Sequence, residues 1–461
     1  MLIRLPWILS RKRFVIAVVA DWLLFAFSYY LLYEWSFNSL PAFSPSMVVL
    51  LATWSLSSYV AGRYVSGSNL NDENHAWNVV GKQLTATSFV LLLTLCVATA
   101  HVWLVNHHLT QGPYSILLIS FLGLLAILSF LVQLLIGYLF ALQESNKNSV
   151  WCYVGTESDF IQLQKMLKWS RIQVSIKHVL PQDLMHPCPQ FFVNNFHDHS
   201  VDLLEKLYSF HKKGSIVLSR LSWCELILQR FPAEFISDGD LLDGRFSMPY
   251  GTLQSRLKRV GDFAVALLLI IFTSPLIGVA ALLIKVEDGG PVFYSQVRTG
   301  KRGNPFKIWK LRSMRIDAEN QGAQWSSRSD PRITKVGAML RRTRLDELPQ
   351  LWCVLTGSMS LIGPRPERPE FDKQLSLHIP YYNLRHLMRP GLSGWAQVNY
   401  HYGASITDSA NKLSYDLFYL KNFSFLLDLL ILFKTIRLVF NAQGALPDSS
   451  SHSEPLHLND T

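Results

Sequence analysis

Four long apolar stretches fill the first third of the chain: Phe14–Tyr33, Phe43–Gly62, Leu84–Val105 and Pro113–Leu142. A helix needs roughly 20 apolar residues to cross a hydrocarbon core, so the pattern predicts a four-helix transmembrane bundle over residues 1–145. Arg4, Arg11, Lys12 and Arg13 precede the first stretch, and Arg63 and Lys82 lie in the second connection. The first and third connections carry no Lys or Arg, so the positive-inside rule puts both ends of the bundle in the cytoplasm. With three more spans behind it, the first stretch reads as a permanent span, not a signal peptide. Asp21 lies within it; an intramembrane carboxylate serves either function or helix packing.

The period changes near Asn148. The run VWCYVG predicts a buried strand turning at Gly155, followed by an amphipathic helix over Phe160–Trp169. Further strand-like runs are Val174–His178, Phe191–Val193 and Ser215–Leu218. Strands alternating with helices predict a small doubly wound sheet, a Rossmann-like α/β domain over 148–245. The domain is degenerate as a nucleotide binder. GTESDF after the first strand has one glycine where a dinucleotide loop needs three. A YxxxK string, Tyr208 to Lys212, lacks the glycine loop that would give it catalytic meaning. A regulatory or structural role is expected.

Residues 251–442 predict a third, α+β domain. It opens on the apolar run Phe263–Ile284, long enough to span but broken by Ser274-Pro275 at its midpoint. Proline removes an intrahelical hydrogen bond, and a neighbouring serine hydroxyl can satisfy the freed carbonyl. Lys258 and Arg259 flank one end and Lys285 the other, so charge gives no direction. Both a crossing helix and a bent helix that re-enters the same face fit the pattern. The runs Val292–Arg298 and Phe306–Arg312, joined by TGKRGN, predict a hairpin. Phe423–Phe440 carries Asp428, Lys434 and Arg437, which suits a helix lying on the membrane surface. The Pro/Ser/His-rich tail, 443–461, is expected to be disordered.

Charge sharpens this division. The chain is 49% hydrophobic yet carries a formal net charge of +10. From Gly251 to Asn441 there are 26 Lys and Arg against 14 Asp and Glu, so the excess lies in the last domain. An anion handled at a membrane surface fits that balance. Nucleic acid does not, because no recognised binding module is visible. The five cysteines are far apart with no CxxC pair, which argues against zinc and against a disulfide framework. Within TRLDELPQL, Asp346 and Glu347 stand side by side behind Arg341, Arg342 and Arg344. A carboxylate can attack phosphorus if cations neutralise the phosphates. Its neighbour could then hold a divalent cation such as Mg²⁺. The same pair could equally be an acidic helix start.

Taken together, KRVGD, the Ser274-Pro275 break, GPVFYSQVRTGKRGNPFKIWKLRSM, RRTRLDELPQLW, MSLIGPRP, PGLSGWAQVNY and YDLFYLKN resemble the bacterial polyprenyl-phosphate hexose-1-phosphate transferases. These begin exopolysaccharide, capsule or O-antigen synthesis. The resemblance implies a monotopic catalytic domain whose re-entrant helix breaks at Ser274-Pro275, on the cytoplasmic face of the bacterial inner membrane. It implies that Asp346 attacks the sugar-side phosphorus of a UDP-sugar, of glucose or galactose, and releases UMP. Undecaprenyl phosphate would then take the phosphosugar from the aspartate. Glu347, with Asp346, would hold Mg²⁺. Lys310, Arg341, Arg365, Lys258 and Arg259 would contact phosphate. Membrane lipid is an expected partner, nucleic acid is not, and a homo-oligomer is left open. Cys353 stands where the family usually has Asn, and Ser358 where an acidic residue is common. The rival readings are a membrane-anchored nucleotide-sugar dehydratase or epimerase, which would need bound NAD, and an inactive membrane scaffold.

Overall fold

The computed structural model describes residues 12–440, apart from 42–43, 65–72, 106–112, 146–149, 169–173, 185–187, 195, 197–198, 243–245, 247–252, 319–329 and 401–404. The expected disordered tail lies outside the described residues. The chain divides into two compact units, Met1–Val150 and Trp151–Thr461.

The first unit is a bundle of four apolar helices: α1 (Lys12–Phe37), α2 (Pro45–Val60), α3 (Glu73–Val105) and α4 (Pro113–Ser145). Three of these elements contain segments long and apolar enough to cross a membrane. The second does not: α2 has 16 residues, about 24 Å at the helical rise. The chain leaves it at Ala61–Tyr64 and folds Arg63 and Tyr64 back inward.

Leu23, Phe27, Leu92 and Ile119 face outward, while polar groups are buried inside, as a bilayer solvent requires. The core gathers Phe25, Leu50, Trp54, Val90 and Phe121, with Phe25 and Phe121 edge to face at 5.0 Å. Asp21 is fully buried and its carboxylate is saturated. Tyr64 Oη (2.7 Å), Trp54 Nε1 (3.2 Å) and the Arg63 guanidinium (3.5 Å) donate to Oδ2. Ser129 Oγ (2.5 Å) and Gln133 Nε2 (3.0 Å) donate to Oδ1. The carboxylate therefore ties α1 to α2 and α4, which decides for packing. Asp21→Leu should cost about 3–5 kcal/mol by leaving Arg63 buried without a counter-charge, and Asp21→Leu with Arg63→Met should recover most of it. Thermal unfolding in detergent reads this out; equal stability of Asp21→Leu and wild type would refute the pin.

The second unit starts with a four-stranded parallel sheet, order β2-β1-β3-β4, from β1 (Trp151–Val154), β2 (Ile176–Val179), β3 (Gln190–Val193) and β4 (Ile216–Ser219). Alternation along the strands sends Cys152, Val154, Phe191 and Val193 to one face, under Leu203, Leu207 and Phe210 of the helix Val201–Lys212. Trp151 and Phe192 face the other way and meet Trp223, whose ring stacks on Phe192 at 4.3 Å. The crevice at the C-terminal end of β1 is filled by the chain itself. A Cβ at Gly155 would lie 2.3 Å from the Tyr153 hydroxyl, and His178 Nε2 bonds the Gly155 carbonyl at 2.9 Å. Glu157 and Asp159 place negative charge in the first turn of the next helix, where a pyrophosphate would sit. Cys152 and Cys188 form a disulfide between β1 and the approach to β3, which corrects the expectation of isolated cysteines. Their separation of 36 residues carries no local signal.

The rest of the unit is built around α5 (Leu253–Asp288), one helix of 36 residues. Pro275 cannot donate to the Ile271 carbonyl, and Ser274 Oγ does so instead, at 2.9 Å. Both ends of α5 pack on the same α/β body. Near its start, Asp262 accepts from Ser360 Oγ (2.7 Å) and the Leu361 amide (3.2 Å). Near its end, Ala280 and Ile284 pack with Leu311 and Leu340. Between them Leu268, Ile271, Phe272 and Leu276 are exposed. The expected hairpin is present as β5 (Phe293–Thr299) antiparallel to β6 (Pro305–Leu311). There follow α6 (Lys335–Thr343), a 3₁₀ turn (Leu345–Gln350), α7 (Leu351–Thr356) and β7 (Ser360–Ile362). Then come α8 (Pro369–His378), β8 (Gly391–Ser393), α9 (Ile406–Lys421) and α10 (Phe425–Phe440), with β8 parallel to β7.

Candidate active site

Thr334 starts α6 by accepting the Gly337 amide at 2.9 Å, and Arg344 ends it in the left-handed region at φ 59°. A non-glycine residue there costs about 1–2 kcal/mol, so the reversal is held by what surrounds it. It turns Asp346 and Glu347 inward on the 3₁₀ turn against β6, where both are buried. Two adjacent carboxylates in low dielectric are costly unless cations meet them.

Cations do meet Glu347. Lys310 Nζ lies 3.3 Å from its Oε1, Arg365 donates to the same oxygen, and Arg344 stands 3.7 Å from Oε2. Lys310 reaches inward because β6 alternates, with Ile308 and Lys310 on one face. The facing residues of β5 are Tyr294, Gln296 and Arg298, paired opposite Lys310, Ile308 and Phe306. Arg365 is aimed by its loop. Gly391 donates to Pro364 O (2.8 Å), and a Cβ on Gly363 would sit 2.5 Å from Arg389 O. Arg385 then donates to the Arg365 carbonyl (2.8 Å) and pairs with Asp416 (3.1 Å).

Asp346 is different: its Oδ1 is buried and accepts no hydrogen bond from the described residues. Burial, then the charge of Glu347, push its carboxyl up to about 6, against the pull of Lys310, Arg341 and Arg344. Burial also works on Glu347, but the charges of Arg365, Lys310 and Arg344 outweigh it and hold that carboxyl well below the usual range. One carboxylate is thus locked by cations, and the other keeps a free oxygen.

The structure therefore gathers Asp346, Glu347, Lys310 and Arg365, with Arg341 in the last turn of α6 close enough for its charge to reach Asp346. It does not bring Lys258 or Arg259 to them. Lys258 bonds Asp428 at 2.8 Å, and Arg259 donates to the carbonyls of Val354 (2.6 Å) and Leu355 (2.8 Å), closing the end of α7. In the structure these two residues join α5 to α10 and α7. Ser274 and Pro275 lie mid-way along α5. Cys353 is buried near the Lys307 carbonyl. Arg298 and Arg385 were not singled out by their surroundings in sequence. For Arg298 the alternation of Tyr294, Gln296 and Arg298 was the available signal. Among the described residues no three His, Cys, Asp or Glu side chains gather as an all-protein metal cage. The orphaned oxygen of Asp346 beside Glu347 suits a hard cation that takes its other ligands from phosphate and water.

Residues 253–442 match a family described as bacterial sugar transferase. Over 189 residues the chain is 48% identical to a UDP-N-acetylgalactosamine-undecaprenyl-phosphate N-acetylgalactosaminephosphotransferase of Aeromonas hydrophila, covering 41% of this chain and 45% of that one. Over 195 residues it is 40% identical to the UDP-glucose:undecaprenyl-phosphate glucose-1-phosphate transferase of Escherichia coli (strain K12), covering 41% and 42%. Over 188 residues it is 41% identical to the exopolysaccharide production protein PSS of Rhizobium leguminosarum bv. phaseoli, covering 39% of this chain and 93% of that one. The chain thus spans under half the length of the first two relatives. It belongs to the bacterial sugar transferase family.

Proposed function

We propose that this protein transfers a sugar 1-phosphate from a UDP-sugar to undecaprenyl phosphate, releasing UMP, through a phosphosugar carried on Asp346. The observation that carries this reading is the buried, unpaired Oδ1 of Asp346 beside a glutamate held by Lys310, Arg365 and Arg344. In the first step Asp346 forms a bond to the sugar-side phosphorus as the bond to the UMP oxygen breaks. In the second, an oxygen of undecaprenyl phosphate attacks that phosphorus and the aspartate leaves unchanged. Splitting the transfer this way replaces one displacement between the two substrates by two steps through a covalent intermediate. Lys310, Arg341 and Arg365 are the groups suited to the phosphate oxygens, Arg365 through its planar fork. Mg²⁺, held by Asp346 with Glu347 beside it, would supply charge neutralisation at the diphosphate.

A bent α5 that dips into one leaflet and returns is supported by its two ends, which pack on one body while its middle presents Leu268, Phe272 and Leu276 outward. A straight crossing would put those ends on opposite faces of a core about 30 Å thick. Ser274 satisfying the carbonyl that Pro275 frees favours a bend there. With α10 lying on the surface and the bundle's basic ends facing inward, catalysis would proceed at the cytoplasmic face of the inner membrane. The filled crevice beside Gly155 gives a dehydratase no place for its dinucleotide.

Relatives act on different sugars, so the donor is found by a panel. Membranes with this protein, Mg²⁺ and undecaprenyl phosphate should release UMP with at least one of UDP-glucose, UDP-galactose, UDP-N-acetylgalactosamine and UDP-N-acetylglucosamine, and chelation of the metal should stop it. Silence across the panel with folded protein would overturn the proposal. The attacking form of Asp346 is the carboxylate. In the metal-free protein burial and the charge of Glu347 raise its pKa to about 6, and a divalent cation at the carboxylate works in the opposite direction. The acid limb of UMP release should therefore move to higher pH as Mg²⁺ is lowered from saturating to limiting; an acid limb that does not move with Mg²⁺ would contradict a cation held at Asp346.

A further inference from the structure

A cavity of about 420 Å³ lies between the parallel-sheet region and the α/β body that carries the dyad. Lys165, Met166, Arg230, Ile379, Thr407 and Asn411 are among its walls. It is separate from the cationic cluster at the dyad, because Lys310, Asp346, Glu347 and Arg365 are not among its lining residues.

Arg230 is the unusual member. It is 1% exposed, and among the described residues its Nε has no hydrogen-bond partner. Among the same residues its other nitrogens reach the neutral acceptors Asn411 Oδ1 (3.3 Å) and Met166 O (2.8 Å), and its guanidinium stands over the Tyr415 ring, 5.8 Å from the centroid. A buried guanidinium normally has an anion beside it, since desolvating it without one is costly. Arg230 is also held firmly in place. Gln229, left-handed at φ 53°, accepts from Trp395 Nε1 (3.0 Å), and the Phe231 amide donates to Ser414 O (2.8 Å). The first turn of α9 brings Thr407 to the same wall, its leading amides already capped by Ser405 and Asp408. The single carboxylate among the described lining residues, Glu234, is exposed to solvent and cannot serve as the buried partner.

We infer that this cavity is a second anion site, which takes a small organic phosphate with its charged end on Arg230 and its body against Met166 and Ile379. The volume falls within the range for small-molecule sites, towards its lower end.

The test is calorimetric titration of the full chain in detergent with inorganic phosphate, UMP and glucose 1-phosphate. It is run in an Arg365→Ala background, which weakens phosphate binding at the dyad. At least one probe should bind, with affinity reduced tenfold or more by Arg230→Gln and threefold or more by Lys165→Glu. Lys165 is exposed, so its charge reversal leaves folding intact and decides the matter if Arg230→Gln fails to fold. No binding by any probe, or binding that Lys165→Glu leaves unchanged, would overturn the inference.

Discussion

The Asp346→Asn protein should lose at least about a thousandfold in UMP release while unfolding at a higher temperature than wild type. The loss follows because the amide cannot form the bond to phosphorus that splits the transfer. The gain in stability follows from the same burial. An aspartate whose folded pKa is raised to about 6 binds more protons folded than unfolded between its ordinary value and 6. Stability from this group is therefore present at low pH and lost as pH rises through that window. By pH 7 the charge costs about 2–3 kcal/mol, which asparagine does not incur. A merely structural aspartate would move the other way, with activity and stability falling together. Thermal unfolding in detergent beside the UMP assay separates the two.

Arg365→Ala should lower turnover by about a hundred- to a thousandfold, the scale for removing one preorganised donor at developing charge. Arg365 contributes most to holding Glu347 below the usual carboxylate range against burial, so its loss should also let Glu347 titrate higher. An added loss of rate on the acid side of the pH profile would report this. Arg365→Lys restores a charge without the fork and should recover only part of the rate. Turnover of Arg365→Ala within threefold of wild type would remove Arg365 from the site.

Local patterns in the sequence specify much of the fold. The apolar stretches of the bundle, the alternation in VWCYVG, the TGKRGN hairpin and the Ser274 hydroxyl serving the carbonyl freed by Pro275 all arise from neighbours within a few residues. The dyad was legible because its residues are adjacent, and Lys310 and Arg365 because turn and strand chemistry surrounds them. What escaped was pairing over distance. Lys258 finds Asp428, Arg259 finds the end of α7, and Asp21 finds Arg63, Tyr64 and Ser129. Each pair is set by how helices meet, and no period within either segment encodes it. A basic pair before a membrane helix looks the same whether it meets phosphate or carbonyl. The shortness of α2 escaped for a different reason: Ala61 and Gly62 continue the apolar composition while the backbone turns.

The phosphosugar carried on Asp346 is tested by incubating the purified protein with the active UDP-sugar and Mg²⁺ in the absence of undecaprenyl phosphate, quenching in acid and weighing the peptides. A phosphosugar adduct is expected on the peptide that contains Asp346, lost when undecaprenyl phosphate is added before the quench. Formation of the lipid-linked product at full rate with no adduct on that peptide would contradict Asp346 as the carrier.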